Sequence, residues 1–364
     1  MCIRDRAPDL REWIDLDETA AREWVLGGGS LMLGGLPGTG KSYLLQEWLR
    51  DMDRKIYLCA PTHVAARNLR VEGLEPMTLC RFWNRFLKQG SGLHKDCTVV
   101  IDEVSQVSTL FWHRLTPVSR LCQVICCGNP EDQLLAVADS FLDKALEIDV
   151  SEGQLLRSVC GNRRLRLTTG RRSCAALWDL YSSMATTGWR YGQTLQEMVA
   201  AARELPSQGL ADTNLVISHA RRRRVIRQWM VERRPAGAAT LVLEKGADSN
   251  SQELTIWEGT VLTACLDALS KHGIYNAQLL SVLGWTGETL LLRCQEGGQE
   301  YEVPLDWCRE NLRHGCALTY ASIQARTCRG TVQLMDWASP RFTRRHLVMG
   351  LSRATSIDNV WLGE

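Results

Sequence analysis

The sequence predicts an α/β fold, in which a parallel β-sheet is flanked by helices, and three observations support this prediction. An apolar run at residues 31–33 leads into a glycine-rich loop, and a helical pattern follows the loop over residues 43–49. Four consecutive strand-forming residues at 98–101 are followed at once by Asp102 and Glu103. Strand and helix patterns alternate along the first part of the chain, which is typical of parallel α/β folds.

The loop after the first apolar run has the pattern of a phosphate-binding P-loop. It consists of Gly35, Leu36, Pro37, Gly38, Thr39, Gly40, Lys41 and Ser42. Glycines allow backbone N–H groups to turn toward a phosphate, and the N-terminus of the next helix adds a positive dipole. The pattern predicts that Lys41 contacts the β- and γ-phosphates of ATP and that Ser42 binds Mg²⁺. A glycine-rich turn before a core helix is the alternative.

Polar side chains follow two further predicted strands. Asp102 and Glu103 come about 60 residues after the P-loop, in the pattern called Walker B. Asp102 is expected to hold Mg²⁺ and Glu103 to polarise the attacking water. After the apolar strand at 121–127, Gln133 is a candidate sensor of the γ-phosphate, and a plain surface turn is the alternative there.

Composition and length indicate a folded chain of two to three domains. The chain has 364 residues, of which 45% are hydrophobic and 23% charged. It has no apolar run of about 18 residues, and its first 17 residues are too charged for a signal peptide, so we expect an intracellular protein without a membrane segment. The 14 cysteines are scattered through apolar segments without metal-ligand spacing, which predicts reduced core residues and no zinc site.

The basic residues are unevenly distributed. The net charge is +2, which predicts no nucleic-acid binding by itself, but arginines cluster at residues 163–172, 221–224 and 341–345. Arginine suits bidentate contacts to phosphate, whereas a solvated face is the usual outcome for one charge run. Two interpretations also remain open for Thr62 and His63, which start a predicted helix after a strand. They fit either a phosphate site or a plain helix cap.

Eight stretches, in this order, resemble successive motifs of superfamily 1 helicases, in particular of the RecD-like and viral branch. They are residues 35–42, 60–66, 78–82, 101–105, 128–134, 167–173, 319–327 and 347–356. The resemblance implies two RecA-like domains, at residues 1–140 and at 141–240 with 317–364. Short β patterns with glycine turns at 241–316 add a small β-rich insertion to the second domain.

The resemblance also implies roles for residues outside the P-loop domain. Arg172 and Arg353 are expected to approach the γ-phosphate of ATP from the second domain when the two domains close. Thr62, His63, Thr319 and Gln324 are expected to contact a single nucleic-acid strand, with DNA favoured over RNA. The implied function is an ATP- and Mg²⁺-dependent translocase or helicase in the cytoplasm, the nucleus or a viral replication site.

Three departures from the family pattern keep other functions open. Asn129 stands where the family has Asp, Ala325 where it has Gly, and Arg227 where it has Asn. A helicase that has lost turnover and serves as a nucleic-acid-binding scaffold is therefore one alternative. A P-loop ATPase that remodels protein complexes is another, since it would use Lys41, Asp102 and Glu103 but not the strand-contacting residues.

Overall fold

The structure of the protein is a computed structural model. It describes residues 12–69, 71–88, 92–94, 96–136, 154–186, 188, 192–202, 209–247, 252–266 and 271–363. Residue 141, the predicted start of the second domain, lies outside these ranges. The described chain divides into two compact units. The first comprises the chain up to Met198 together with Thr343–Ser356, and the second comprises Val199–Phe342 together with residues from Ile357 onward.

The first unit is built on a parallel sheet with the strand order β1-β7-β2-β6-β5-β3-β4. Its strands are β1 (Ile14–Asp15), β2 (Leu31–Gly35), β3 (Ile56–Ala60), β4 (Met77–Thr78), β5 (Thr98–Ile101), β6 (Gln123–Gly128) and β7 (Arg163–Leu167). The helices of this part of the chain are α1 (Glu18–Leu26), α2 (Lys41–Arg50), α3 (His63–Asn68), α4 (Leu79–Phe82), α5 (Thr109–Leu115), α6 (Gln154–Cys160), α7 (Ala175–Met184) and α8 (Leu195–Ala202).

Hydrophobic residues cover both faces of this sheet. On one face Val100 and Ile125 pack with the apolar side of α2, including Leu45 and Trp48. On the other face Val99 packs in a second cluster with residues of α5 and α6. Strands buried on both sides read as continuous apolar runs, which explains why β5 and β6 are so apolar. The packing fixes the carboxyl ends of β2, β5 and β6 at one edge of the sheet.

Strand β7 corrects the predicted domain boundary. The sequence placed residues 141–240 in the second domain, but Leu165 of β7 pairs with Leu33 of β2 in the first sheet. Two basic side chains of β7 form ion pairs inside the first unit, Arg164 with Asp15 at 2.7 Å and Arg166 with Glu131 at 2.7 Å. These contacts tie the strand to the first unit and account for part of the arginine cluster at 163–172.

The second unit contains a smaller parallel sheet with the order β16-β8-β17-β18 and two antiparallel sheets. Its strands are β8 (Thr213–Val216), β9 (Leu241–Leu243), β10 (Leu254–Ile256), β11 (Val261–Ala264), β12 (Leu279–Trp285), β13 (Thr289–Cys294), β14 (Glu300–Pro304), β15 (Leu312–His314), β16 (Ala317–Thr319), β17 (Val332–Leu334) and β18 (Val360–Leu362). The remaining helices are α9 (His219–Arg233), α10 (Leu305–Asn311) and α11 (Arg344–Leu351).

The antiparallel sheets lie in the segment predicted as a β-rich insertion. Strands β11–β15 form a five-stranded sheet in the order β14-β13-β12-β11-β15, and β9 pairs with β10. Along β13 the side chains alternate between buried and exposed, as expected for a sheet with one face on a core. Parallel sheets flanked by helices in both units, with this β-rich segment in the second, confirm the predicted α/β fold.

Helix α11 does not group with the second unit. Residues 317–364 were assigned to the second predicted domain, yet Thr343–Ser356 belongs to the first unit. Arg344 of this segment forms an ion pair with Asp132 at 2.9 Å, and Cys174 donates its backbone N–H to Thr355 O at 2.7 Å. The chain therefore returns to the first unit near its end. Among the described residues, no helix is long and apolar enough to cross a membrane.

Candidate active site

The P-loop joins β2 to α2 and requires glycine at specific positions. Gly35 and Gly38 adopt φ angles of +143° and +86°, which L-residues rarely adopt. A Cβ atom at Gly35 would lie 2.6 Å from the carbonyl oxygen of Leu167, and one at Gly38 would lie 3.2 Å from Cβ of Arg172. Glycine therefore lets the loop backbone pass close to β7 and to the chain after it.

The other predicted P-loop residues have defined contacts. Gly40 precedes the first turn of α2 with φ +91°, and Ser42 lies in that turn. The buried Thr39 hydroxyl donates to Leu36 O at 2.9 Å. The carbonyl oxygen of Pro37 accepts a 2.9 Å hydrogen bond from the buried hydroxyl of Tyr181. The loop is thus held from inside and from α7.

Lys41 folds over its own loop. Its Nζ donates to the carbonyl oxygens of Gly35 and Leu36 at 2.7 and 2.9 Å. Burial lowers the pKa of Lys41, although the charges of Asp102 and Glu103 oppose this effect. Two neutral carbonyls are weak partners for an ammonium group compared with a phosphate, because charge-assisted hydrogen bonds are stronger. Lys41 is therefore close to its predicted phosphate site, and phosphate oxygens of a bound nucleotide would replace its two carbonyl partners.

Of the two carboxylates after β5, Asp102 is buried, and Glu103 is half-buried with its Oε2 atom buried. Asp102 is 5% exposed, and its Oδ1 accepts the backbone N–H of Glu103 at 2.9 Å. Burial raises the pKa of Asp102, and burial together with the charge of Asp102 raises the pKa of Glu103. Oε2 of Glu103 has no hydrogen-bond partner among the described residues. A buried carboxylate next to a half-buried one, whose buried Oε2 has no described partner, forms a site that would gain stability from a cation or a bound water.

Ser42 and Asp102 are the residues that could hold Mg²⁺. A hydroxyl and a carboxylate suit this hard cation, which prefers oxygen ligands and keeps several waters or phosphate oxygens in its shell. Because burial raises the pKa of Asp102, a cation would relieve the cost of its charge. The described residues contain no group of three or more His, Cys, Asp or Glu that could bind a metal alone. This donor set fits a magnesium ion that arrives with a nucleotide.

Gln133 lies beside the predicted catalytic carboxylate. Its Oε1 accepts a hydrogen bond from the hydroxyl of Ser105 at 3.1 Å, and the side chain acts to lower the pKa of the neighbouring Glu103, which burial raises. The side chain is 3% exposed, so it lies in the interior of the unit rather than in a surface turn. The structure thus brings together Gln133 and Glu103, and a role of Gln133 as a sensor of the γ-phosphate stays a prediction.

Arg172 and Arg353 both group with the P-loop unit rather than with the second unit. Arg172 Nη2 donates to Ser352 O at 2.6 Å. Arg353 is 2% exposed, and it donates to Met349 O at 3.1 Å and to Ser352 Oγ at 2.9 Å. The charge of Arg353 lowers the pKa of Glu103, so the two side chains interact electrostatically. Both predicted arginines therefore lie near the P-loop and the two carboxylates after β5.

Asp132 is a central residue of this region that the sequence pattern did not identify. It is 2% exposed, and its Oδ1 accepts hydrogen bonds from Thr186 N, Thr186 Oγ1 and Arg344 Nη1 at 2.6, 2.7 and 2.9 Å. Asn129 Nδ2 donates to its Oδ2 at 3.4 Å. The sequence offered a weak signal, because Asp132 falls within the stretch that resembles a helicase motif. A partner 212 residues away cannot be recognised from one sequence.

A cavity of about 380 Å³ lies next to the P-loop. It is lined by the ends of β2, β6 and β7, by Trp13 and by residues of α7, including Trp178. Among the described residues its lining includes Gly35 and Leu36 but neither Lys41 nor Asp102. The cavity therefore adjoins the predicted phosphate site on the side of β7, and the predicted magnesium ligands do not face it.

Thr62 and His63 occupy the start of α3, where they fit both predicted roles. Thr62 Oγ1 accepts the backbone N–H of Ala65 at 3.2 Å, so it caps the helix. Burial and the charges of Arg67 and Arg81 lower the pKa of His63, which shows a positive electrostatic field at this position. Such a field attracts phosphate, and contact with a nucleic-acid strand remains a prediction.

Thr319 and Gln324 lie in the second unit, on the segment after β16. Thr319 is half-buried, and its hydroxyl donates to Ser322 Oγ at 3.1 Å. Gln324 is 5% exposed, so a contact with a strand would need a local rearrangement. The next residue, Ala325, has φ +63°. The position at which the family has glycine therefore has the left-handed conformation that glycine favours.

Replacing Ala325 with Gly is expected to raise the free energy of unfolding by about 0.5–1 kcal/mol. An L-residue in the left-handed region costs roughly 1–2 kcal/mol, and the extra flexibility of Gly in the unfolded chain offsets about 0.4–1 kcal/mol of this. Ala321→Gly is the control, because Ala321 has no positive φ and should lose stability. Chemical denaturation of both variants measures the difference, and equal destabilisation would contradict the strain at Ala325.

Asp102→Asn is expected to raise stability at neutral pH by about 0.5–2 kcal/mol without nucleotide or Mg²⁺. The pKa of Asp102 is raised in the folded state, so the buried charge destabilises the fold above that raised pKa. The penalty disappears as pH falls below the unfolded value of 3.8. Asparagine keeps the acceptor for Glu103 N. Melting temperatures measured over a pH series test this prediction. The control is Asp179→Asn, on the exposed side of α7. A lower melting temperature of Asp102→Asn at pH 7 would contradict the prediction.

Known proteins resemble the chain in part of its sequence and in its fold. A family model described as an AAA domain matches residues 18–163. The solved structure of Bacteroides Pif1 bound to ssDNA has a TM-score of 0.66 and 15% identity, and the match covers 95% of this chain and 91% of that chain. The Pif1 helicase from Candida albicans has a TM-score of 0.64 and 15% identity, over 95% of this chain and 93% of that chain.

A third solved structure is informative because of its ligands. Pif1 helicase from Bacteroides in complex with ADP-AlF3 and ssDNA has a TM-score of 0.63 and 15% identity, over 94% of this chain and 92% of that chain. No curated protein sequence matches this chain. At 15% identity these structures share the fold with this chain, which confirms the predicted α/β fold.

Proposed function

We propose that this protein is an ATP-dependent translocase or helicase that acts on single-stranded nucleic acid, with DNA favoured over RNA. One observation carries the proposal. The first unit brings the P-loop together with the carboxylates of Asp102 and Glu103, with Gln133 beside Glu103 and the charge of Arg353 acting on it. These are the parts that ATP hydrolysis requires, namely phosphate binding, a metal ligand, a group that activates water and a cation for the developing charge.

The roles of the site residues follow from their surroundings. Lys41 would exchange its two carbonyl partners for the β- and γ-phosphates, and the P-loop glycines would let backbone N–H groups face the same phosphates. Ser42 and Asp102 would hold Mg²⁺, which supplies positive charge to the phosphates when bound. Glu103, whose Oε2 is unpartnered among the described residues, would accept a hydrogen bond from the attacking water.

Single-stranded nucleic acid as the partner is supported by likeness of fold. Bacteroides Pif1 has been solved bound to ssDNA and, in another structure, with ADP-AlF3 and ssDNA. Thr62 and His63 in the first unit and Thr319 and Gln324 in the second are the proposed contact residues. The positive field at His63 supports this assignment, and the burial of Gln324 argues that its contact forms only after a local change.

A nucleic-acid-binding scaffold without turnover is the second candidate. Two residues support it. Ala325 has a left-handed backbone conformation where the family has Gly, and Asn129 replaces the family's Asp. Asn129 is nevertheless integrated into the site, since it hydrogen-bonds to Asp132 on both sides of its amide group. The intact pair of Asp102 and Glu103 favours the active enzyme over the scaffold.

ATP turnover stimulated by a single strand is the experiment that separates these functions. Phosphate release should rise when oligothymidine is added, and it should fall steeply as salt increases, because strand binding depends on phosphate contacts. Lys41→Ala should remove turnover in both conditions. Strand binding without any turnover would favour the scaffold. Turnover that no nucleic acid stimulates would favour a protein-remodelling ATPase and would refute the proposal.

A further inference from the structure

Helix α9 carries a buried arginine that has no counter-charge among the described residues. Arg222 lies in the first turns of α9 and is 5% exposed. Its Nε atom is buried without a hydrogen-bond partner, and its guanidinium group forms no ion pair with a described residue. The neighbouring Arg221 provides a contrast, because its side chain lies 3.3 Å from the carboxylate of Asp336. Among the described residues, one of the two adjacent arginines is thus neutralised by a carboxylate and the buried one has no counter-charge.

The described titratable groups around Arg222 are positive or neutral. Arg313 of β15 and the exposed Arg223 act on it with like charges, and the thiols of Cys265 and Cys316 are its other titratable neighbours. Nε of Arg313 is also buried without a partner among the described residues. Burial and the charges of Arg222, Arg313 and Arg223 lower the pKa of His219 at the start of α9. The described residues of both α9 and β15 therefore contribute a positive electrostatic field around Arg222.

Such an arrangement is unfavourable in the absence of an anion. A buried charge without a partner destabilises a protein, and like charges at close range add to this effect. Exposed faces of basic helices do not have this cost, because water solvates their charges. Arg222 differs from Arg224 and Arg227 of the same helix in this respect, since those two side chains are exposed. A bound oxyanion would satisfy the guanidinium groups of both Arg222 and Arg313.

We propose that Arg222 and Arg313 form a binding site for a phosphate oxyanion, with His219 and Arg223 at its rim. The guanidinium groups would donate to phosphate oxygens, and the exposed rim residues would give the ligand access from solvent. The phosphate has two possible sources, a phosphodiester of the bound single strand or free phosphate. The first source rests on the proposed function, and the second does not. Arg222 and Arg313 belong to the second unit, whereas the P-loop belongs to the first.

Arg222→Met is the main test, because methionine keeps an apolar stem and removes the charge. Arg222→Lys retains the charge, and Arg313→Met removes the second donor. Arg224→Met is the matched control, since Arg224 lies two residues along the same helix and is exposed. In chloride buffer without phosphate, Arg222→Met should melt at the parental temperature or above it. A clearly lower melting temperature would mean that the guanidinium group has a partner inside the fold and would overturn the proposal.

Two ligand measurements identify the source of the phosphate. Affinity for labelled oligothymidine, measured by fluorescence anisotropy over about 50–200 mM salt, should fall about tenfold or more in Arg222→Met, with a salt slope lower by roughly 0.7. Inorganic phosphate is tested by thermal shift at constant ionic strength in a Lys41→Ala background, which removes phosphate binding at the P-loop. Loss of that shift in Arg222→Met identifies free phosphate as the ligand.

The outcomes distinguish this proposal from the proposed function. If the parental protein does not bind oligothymidine but phosphate stabilises it through Arg222, the nucleic-acid function fails and the anion site stands. If all variants bind oligothymidine equally and show equal phosphate shifts, the anion site is refuted and the proposed function is unaffected. Equal losses in Arg222→Met and Arg224→Met would indicate general attraction to a basic helix and would also refute the site.

Discussion

Glu103→Gln is expected to reduce ATP turnover by about 10³-fold while ATP affinity stays within a few-fold of the parental value. The structure explains both parts of this expectation. Oε2 of Glu103 is buried and has no described hydrogen-bond partner, so it is placed to accept a proton or hydrogen bond from water. Its raised pKa makes it a stronger base than an exposed glutamate. Glutamine keeps the shape and the contact with Gln133 but cannot accept a proton.

Lys41→Ala should fail in a different way. Lys41 is expected to contact the β- and γ-phosphates of bound ATP before the reaction. Its removal leaves the P-loop without a cationic side chain, so both the affinity for ATP and the rate of turnover should fall. Titration with a fluorescent ATP analogue measures affinity, and phosphate release with oligothymidine measures turnover. If the two variants lose ATP affinity equally, the roles assigned to Lys41 and Glu103 are wrong.

The pH dependence of turnover provides a further check on Glu103. A base must be deprotonated to act, so turnover should fall as pH decreases through the raised pKa of Glu103, above the ordinary value of 4.5. The remaining activity of Glu103→Gln should lack this acid limb. A parental acid limb that persists unchanged in Glu103→Gln would assign the limb to another group.

The sequence predicted the P-loop and the carboxylates after β5 because their signals are local. A glycine at a positive φ, such as Gly35, and a strand that ends in charged residues, such as β5, are each encoded within a few neighbouring positions. Parallel strands place their carboxyl ends at one edge, so the order of elements also brings Asp102 to the P-loop. This is why the fold class and most of the candidate site could be inferred without a structure.

Strand β7 was missed because its pattern is not that of a buried strand. Three of its five residues are arginines, and Leu165 alone of the five is buried. Partners elsewhere in the chain, Asp15 and Glu131, neutralise Arg164 and Arg166. An arginine cluster in sequence therefore became an interior strand through ion pairs that no local pattern reveals.

The placement of α11 was missed for a related reason. Its position in the chain, between β17 and β18 of the second unit, favoured the second domain. The buried carboxylate of Asp132, however, binds Arg344 and groups this segment with the first unit. Pairing between residues so far apart is decided by tertiary packing. The sequence placed Arg353 in the second domain, whereas the structure groups it with the first unit, and its role in the site stays a prediction.

Arg353→Ala is expected to lower stimulated ATP turnover by about 10³-fold or more, the scale seen when an arginine that stabilises the transferring phosphate is removed. Arg353 is 2% exposed, and its charge acts on Glu103, so it lies in the interior beside the reacting group. Arg353 donates hydrogen bonds to Met349 O and Ser352 Oγ. A guanidinium group beside Glu103 would stabilise the negative charge that develops on phosphate, and this favours the transition state over bound ATP.

Arg353→Lys and Arg341→Ala complete this test. Lysine keeps the charge without the planar donor pair and should retain part of the activity, whereas Arg341 is exposed and its loss should leave turnover unchanged.

Affinity for ATP and for oligothymidine should persist in Arg353→Ala, and its melting temperature shows whether the lost hydrogen bonds weaken the fold. The acid limb assigned to Glu103 should move to higher pH, because Arg353 lowers the pKa of that carboxyl. If Arg353→Ala hydrolyses ATP at near the parental rate in the presence of oligothymidine, Arg353 has no part in turnover and the proposed site loses its transition-state cation.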